Sequence, residues 1–219
     1  MHAGRNGFLR SVQQHDTAGH VLAERLALGE LLVYSGKNGK PEPILLPIFE
    51  SARASDLACF RISDEAEERL PGVLGVLAYQ MLVDYATISD DVLFLQGFPQ
   101  ERSHGLANGV YSDAMPFATQ EGSSAEDWFD PDLYIAVAYR GEGAKDAKGR
   151  EVRMPIAGGF SGSLLWKSNR IGREEWTPDD ARVIGVLTHW KTGALSLVAS
   201  RSSLVRQFLA NVDSDTHRF

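Results

Sequence analysis

Residues 158–163 form a glycine-rich segment, Gly158-Gly159-Phe160-Ser161-Gly162-Ser163, around one candidate nucleophile, Ser161. Glycines around Ser161 let the backbone turn sharply, so that N–H groups can point toward one position. Two earlier motifs accompany it. The first, Thr17-Ala18-Gly19-His20-Val21-Leu22, brings a histidine, and the second, Asp56-Leu57-Ala58-Cys59-Phe60-Arg61-Ile62, brings an aspartate. A base, a carboxylate and a hydroxyl nucleophile therefore follow one another along the chain, each inside its own short motif.

These residue types together can activate a serine. His20 can remove the proton of the Ser161 hydroxyl, and Asp56 can hold the imidazole in the required tautomer. The N–H groups of Gly159 and Ser161 are the candidates for an oxyanion hole. Each residue alone has a simpler interpretation: a surface histidine, a strand-capping aspartate and a turn serine. The combination favours catalysis.

The hydrophobic pattern predicts an all-β fold. Short apolar runs bounded by Gly, Asn and Pro are typical of strands, and they occur at 31–34, 43–49, 56–62, 133–139, 164–166, 183–187 and 195–199. The tail differs, because Ser202-Ser203 resembles a helix N-cap and the apolar residues that follow have helical spacing. We expect one C-terminal helix near 202–211.

Composition excludes several classes of protein. The net charge of -7 argues against a nucleic-acid partner or an anionic membrane surface. No apolar stretch is long enough for a transmembrane helix, and no His-Glu-x-x-His or phosphate-binding glycine motif occurs. We expect neither a cofactor nor a metal. The single cysteine, Cys59, lies in an apolar run and is expected in the core.

The same motifs resemble those of a known family. The segments around His20 and Asp56 resemble the histidine and aspartate segments of trypsin-like serine peptidases of bacterial type, and Gly159-Phe160-Ser161-Gly162-Ser163 resembles their Gly-Asp-Ser-Gly-Gly or Gly-Asn-Ser-Gly-Ser motif. Gln96-Gly97-Phe98-Pro99 and Val183-Ile184-Gly185-Val186 are similar to a turn and a strand of the same family. The order His, Asp, Ser separates this family from subtilisins and α/β-hydrolases.

The resemblance implies a chymotrypsin-like fold of two packed six-stranded β-barrels with the triad between them. Residues 1–85 would form the first barrel, carrying His20 and Asp56. Residues 86–219 would form the second barrel, carrying Ser161, and the C-terminal helix. Gly4-Arg5-Asn6-Gly7-Phe8-Leu9 lies closer to the N-terminus than its counterpart in the family. We therefore expect an incomplete first barrel, or native sequence that precedes Met1.

Phe160 departs from the family pattern. Members made as zymogens place an aspartate directly before the nucleophile, where it pairs with a newly formed N-terminus. Phenylalanine cannot form that ion pair. The loop must therefore be held by packing, or become ordered when a substrate or partner binds.

The resemblance also implies a substrate pocket. Pro155, Ile156 and Ala157 would line one wall of the P1 pocket, and Thr188, His189 and Trp190 the opposite wall. No acidic residue lies among Pro155, Ile156 and Ala157 to meet Lys or Arg, which favours a small or apolar P1 side chain. A histidine before a tryptophan is similar to the arrangement in glutamyl endopeptidases, so an acidic P1 side chain is the rival prediction.

The sequence thus predicts a serine endopeptidase that hydrolyses polypeptides through an acyl-enzyme on Ser161. The alternative is a silent or latent module of the same fold that binds peptides or proteins, or one that an unidentified partner protein activates. A lone cysteine and a polar N-terminus without an apolar signal region favour a cytoplasmic location. Secretion stays open if native sequence precedes Met1.

Overall fold

The structure is a computed structural model, and it describes residues 31–35, 42–46, 48–52, 56–60, 79–86, 92–106, 109–124, 126–140, 142–145, 148–168, 175, 177–190 and 195–216. His20 lies outside these residues. Within them the chain is mostly β-strand with one C-terminal α-helix, so the predicted β-rich class is confirmed. The strands are β1 Leu31–Ser35, β2 Glu42–Leu46, β3 Ile48–Ala52, β4 Leu57–Phe60, β5 Leu93–Gly97, β6 Ser103–Leu106, β7 Gly109–Ser112, β8 Met115–Thr119, β9 Tyr134–Ala138, β10 Ala144–Lys145, β11 Glu151–Val152, β12 Leu164–Lys167, β13 Arg182–Trp190 and β14 Ser196–Arg201, and helix α1 is Ser202–Thr216.

A six-stranded sheet organises the second half of the chain. Its strands are ordered β8-β5-β12-β13-β14-β9, and every neighbouring pair is antiparallel. The sheet curls until its two edges meet. Just beyond β8, the carbonyl of Gln120 accepts a bond from the N–H of Ala138 (3.0 Å), and the N–H of Gly122 donates to the carbonyl of Ala136 (2.9 Å). The described strands before residue 61 form two antiparallel pairs, β1 with β2 and β3 with β4.

The inner face of the curled sheet encloses the main hydrophobic core. Strands of alternating burial supply it, since successive side chains point to opposite faces. Its buried members are Tyr85, Leu93, Leu95, Met115, Ile135, Val137, Tyr139, Met154, Ala157, Phe160, Leu165, Ile184, Leu187, Leu197 and Ala199. Two of these, Ala157 and Phe160, belong to the glycine-rich stretch around Ser161. The stretch is therefore fastened to the core of the sheet.

A second cluster covers the outer face of the same sheet. Helix α1 begins at Ser202, as predicted, and ends five residues beyond the predicted end. It packs on β13 and β14 and contacts β4. The cluster contains Leu57, Cys59, Leu82, Val183, Val205 and Phe208. Cys59 is buried, which confirms its predicted core position. Strand β4 and the residue before it, Asp56, are thereby held against the outside of the curled sheet.

The segment 79–86 docks on β13 rather than forming a further long strand. It contains a 3-10 turn, Tyr79–Met81, and the N–H of Val83 donates to the carbonyl of Val183 (3.0 Å). The guanidinium of Arg201 donates to the carbonyl of Tyr85 (2.9 Å). The division into units 1–85 and 86–219 stays a prediction, because most residues before 79 are outside the described part. No helix within the described ranges is both long and apolar enough to span a bilayer.

Candidate functional site

Residues 157–163, called here the serine loop, are fixed at several points of their backbone. The N–H of Gln100 donates to the carbonyl of Gly158 (2.9 Å), and the N–H of Phe160 donates to that of Ala157 (3.1 Å). At the other end, the N–H of Gly162 donates to the carbonyl of Leu187 (2.6 Å), whose own N–H donates to Ser163 (2.9 Å). The loop is therefore hydrogen-bonded both to the turn after β5 and to β13.

The two glycines that flank Phe160-Ser161 have backbone conformations that suit glycine. Gly159 has φ +93° and Gly162 has φ +83°, a region that other residues adopt only with strain. A Cβ on Gly159 would also overlap the carbonyl oxygen of Phe98 and lie 3.0 Å from the nitrogen of Gln100. The sharp turn predicted from the glycines is present, and its close approach to the turn after β5 requires Gly159.

The amides of Gly159 and Ser161 differ from the other amides of this loop in their hydrogen bonding. Within the described part of the chain, neither of these two N–H groups donates a backbone hydrogen bond, whereas those of Phe160, Gly162 and Ser163 do. Ser161 itself is half-buried, while the neighbouring Ser163 is buried. The loop thus carries two amides without backbone acceptors beside a half-buried serine, and donors of this kind can stabilise an oxyanion.

Phe160 lies in the main core. Its side chain is 1% exposed and meets the ring of Tyr139 edge to face, with ring centroids 5.7 Å apart. The hydroxyl of Tyr139 donates to the carbonyl of Pro155 (2.6 Å). Burial, with a smaller contribution from Glu101, raises the pKa of Tyr139 to about 12, although Arg102 opposes the shift. Tyr139 is therefore a protonated hydrogen-bond donor near neutral pH.

Asp56 occupies a strained position directly before β4. Its φ is +51°, and its side chain is 7% exposed. A non-glycine residue with positive φ is uncommon, although aspartate tolerates it better than most. Leu57 and Cys59 of the following strand are packed against Val183 and α1. This packing fixes the strand that Asp56 precedes, and the negative charge of Asp56 opposes the lowering of the His189 pKa by burial.

His189 lies on β13, two residues beyond the point where that strand pairs with the serine loop. Its Nδ1 is 2.8 Å from Oγ1 of Thr188, which is 3.4 Å from Oγ of the buried Ser200. Its ring is 4.7 Å from that of Trp128 and 6.1 Å from that of Tyr134, between centroids. Burial lowers the pKa of His189, and the nearby negative charge of Asp56 partly opposes that shift. The uncharged imidazole is thus favoured near neutral pH.

The residues predicted to line the substrate pocket have different environments. Pro155 and Ala157 are buried, and Ala157 belongs to the main core. Ile156 between them is 55% exposed. On β13, Thr188 is buried and Trp190 packs partly buried against the main core. The role of these residues in binding stays a prediction, as does that of His20.

Two of the predicted segments are hydrogen-bonded to each other, because the serine loop pairs with Leu187 of β13, the strand that also carries Thr188, His189 and Trp190. On the same strand, the negative charge of Asp56 opposes the lowering of the His189 pKa by burial. Sequence reasoning missed Tyr139 and Trp128. Tyr139 is the last residue of a predicted strand and Trp128 lies outside the predicted strands, and no spacing rule relates either of them to Ser161. Among the described residues, no three His, Cys, Asp or Glu side chains cluster as metal ligands would.

Comparison with known proteins identifies no family for this chain. The sequence matches no protein-family model and no curated protein.

Proposed function

We propose that this protein is a serine endopeptidase that hydrolyses polypeptides through an acyl-enzyme on Ser161. The observation that carries the proposal is the serine loop: the half-buried Ser161 lies between two glycines of positive φ, beside two amides without backbone acceptors in the described structure. A turn of this kind offers both a nucleophile and donors for a developing negative charge.

In the proposed reaction, His20 removes the proton from Oγ of Ser161 as that oxygen attacks the carbonyl carbon of the scissile peptide bond. The amides of Gly159 and Ser161 donate to the oxyanion that forms. The protonated His20 then gives its proton to the leaving amine, and the acyl-enzyme remains. A water molecule, deprotonated by His20, then attacks the acyl carbonyl and releases Ser161. Asp56 holds the His20 imidazole and stabilises its charged form. No metal or cofactor takes part.

The proposal includes the arrangement of the whole chain. Two packed barrels would place His20 and Asp56 on one side of a cleft and Ser161 on the other. What supports this is the packing of β4 against the outer face of the curled sheet, with Leu57 and Val183 in one cluster. The charge of Asp56 acts on a residue of β13, the strand to which the serine loop is hydrogen-bonded.

The proposed substrate has a small or apolar P1 side chain. An acidic P1 side chain would need a positively charged partner in its pocket. Burial disfavours the charged form of His189, and the negative charge of Asp56 opposes this effect only in part. The exposed Ile156 adds an apolar contact. These features support the apolar prediction over the acidic one.

A fluorophosphonate probe tests the proposal, because it reacts only with an activated serine. We expect the wild type to be labelled and Ser161→Ala not to be labelled. His20→Ala should react at least about 1,000-fold more slowly, since the hydroxyl loses its base. Ser163→Ala is the matched control, because it removes a neighbouring hydroxyl from the same loop, and we expect it to be labelled like the wild type.

Two results would overturn the proposal. One is a folded wild-type protein that the probe does not label. The other is labelling that persists in Ser161→Ala. If the folded wild type is not labelled but still binds peptides from a library, the protein is a binding module of the kind that the sequence leaves open.

A further inference from the structure

Phe160 of the serine loop and Tyr139 form an aromatic pair in the main core. The Phe160 ring is buried between Tyr139, at 5.7 Å between centroids, and the backbone of Gly97. The fit against Gly97 is close: a Cβ added there would lie 2.5 Å from the nearest ring carbon of Phe160. Close-packed contacts of this kind restrict a side chain to one position. Because Phe160 directly precedes Ser161, its position also restricts the backbone that carries the nucleophile.

Tyr139 holds the loop at a second point. Its hydroxyl donates to the carbonyl of Pro155 at 2.6 Å, in a buried environment. Pro155 lies before the serine loop and Phe160 lies within it, so one tyrosine contacts the chain on both sides of Gly158 and Gly159. A buried hydrogen bond costs more to lose than an exposed one, because the carbonyl that remains has no water to replace its donor.

We propose that Tyr139 is a positioning residue that keeps the serine loop ordered before any substrate or partner binds, through its ring on Phe160 and its hydroxyl on Pro155. The catalytic consequence rests on the function proposed above. A loop ordered in this way needs neither a newly formed N-terminus nor an activating protein to align the amides of Gly159 and Ser161. The proposal therefore selects packing over partner-induced ordering, two alternatives that the phenylalanine before Ser161 leaves open.

The ordering can be measured without any catalysis. The amides of Phe160, Gly162 and Ser163 each donate to a backbone carbonyl, so their exchange with deuterated solvent requires the loop to open. In Tyr139→Phe the ring stays and the hydroxyl is lost. We expect exchange of residues 154–163 to become about tenfold faster, while exchange of β14 stays as in the wild type. Tyr85→Phe is the matched control, because Tyr85 belongs to the same core but lies on the segment that docks on β13.

The catalytic consequence is measured separately. With a peptide ester substrate, we expect Tyr139→Phe to lower kcat about tenfold and to leave KM nearly unchanged, since the oxyanion donors act on the transition state. A role in stability alone would lower the amount of folded enzyme and leave kcat per folded molecule unchanged. Gly97→Ala gives an independent perturbation: it displaces the Phe160 ring and retains the Tyr139 hydroxyl, and it should also speed exchange in residues 154–163.

The outcomes separate the two proposals. Exchange in residues 154–163 that is the same in the wild type, Tyr139→Phe and Gly97→Ala would overturn the positioning role. So would a wild-type loop whose amides exchange at the rate of an unfolded chain and become protected only when a peptide is added. If exchange responds as expected but the wild type is not labelled by the fluorophosphonate, the ordering stands and the peptidase function fails.

Discussion

Two adjacent glycines of the serine loop allow one prediction to be tested with a matched pair. Gly159→Ala introduces a methyl group where φ is +93° and where the Cβ would overlap the Phe98 carbonyl oxygen and lie 3.0 Å from the Gln100 nitrogen. Both neighbours are backbone atoms, so neither can rotate away. Gly158→Ala meets only Oε1 of the Gln100 side chain, at 3.5 Å, and its φ is not positive.

The two substitutions are expected to change the free energy of unfolding in opposite directions. For Gly159→Ala, the left-handed backbone costs about 1–2 kcal/mol, and the overlap adds about 1–3 kcal/mol. The free energy of unfolding should therefore fall by about 2–5 kcal/mol. For Gly158→Ala the methyl group fits, and the more restricted unfolded chain stabilises the protein by up to about 1 kcal/mol.

Urea unfolding followed by tryptophan fluorescence measures both variants. With a slope of about 2 kcal/mol per molar urea, the midpoint of Gly159→Ala should fall by about 1–2.5 M, and that of Gly158→Ala should stay close to the wild type. Equal midpoints for the two variants would contradict this prediction, because they would mean that the turn after β5 does not approach Gly159 closely. If only Gly159→Ala fails to fold, the result is the extreme form of the expectation.

Two further predictions concern pH. The pKa of Tyr139 is raised to about 12 from its usual value near 10, so its contribution to stability is complete below pH 10 and is lost as the pH rises through 12. The free energy of unfolding should fall by about 1.4 kcal/mol between neutral pH and pH 11. Urea unfolding at each pH measures this loss, which we expect to be absent from Tyr139→Phe. The lowered pKa of His189 affects stability at acidic pH. The uncharged imidazole contributes to stability above the unfolded-state pKa near 6.5, and this contribution is lost as the pH falls through the folded-state pKa. In NMR titrations, Asp56→Asn should lower the pKa of His189 further, because it removes the charge that favours the imidazolium, and an unchanged pKa would show that the two side chains do not interact.

Local features of the fold could be read from the sequence because they depend on short-range chemistry. Ser202-Ser203 and the apolar residues after them place the start of α1, where the Ser202 hydroxyl donates to the carbonyl of Val183 (3.0 Å). The end of the helix was predicted five residues early, since the sequence beyond 211 has no strong stop signal. The glycines around Ser161 predict the turn because positive φ is a property of single residues.

The orientation of His189 shows where local patterning fails. Strict alternation along β13 would place Leu187 and His189 on the same face of the sheet. A bulge shifts the register between them, since Leu187 pairs with Ala199 and His189 pairs with Val198. Leu187 consequently lies in the main core, while His189 contacts Trp128 and Tyr134. Bulges depend on the partner strand, so no pattern within β13 predicts this one.

By itself the sequence determined the β-rich class, the C-terminal helix, the buried Cys59 and the sharp turn that carries Ser161, because alternation, capping and glycine chemistry act over a few residues. Only the folded structure shows that the ring of Tyr139 packs on Phe160 and that the charge of Asp56 affects the pKa of His189. Both interactions join residues far apart in the chain. They arise from the way the sheet curls and from the packing of β4 and α1 on its outer face, and long-range packing of this kind leaves no periodic mark in the sequence.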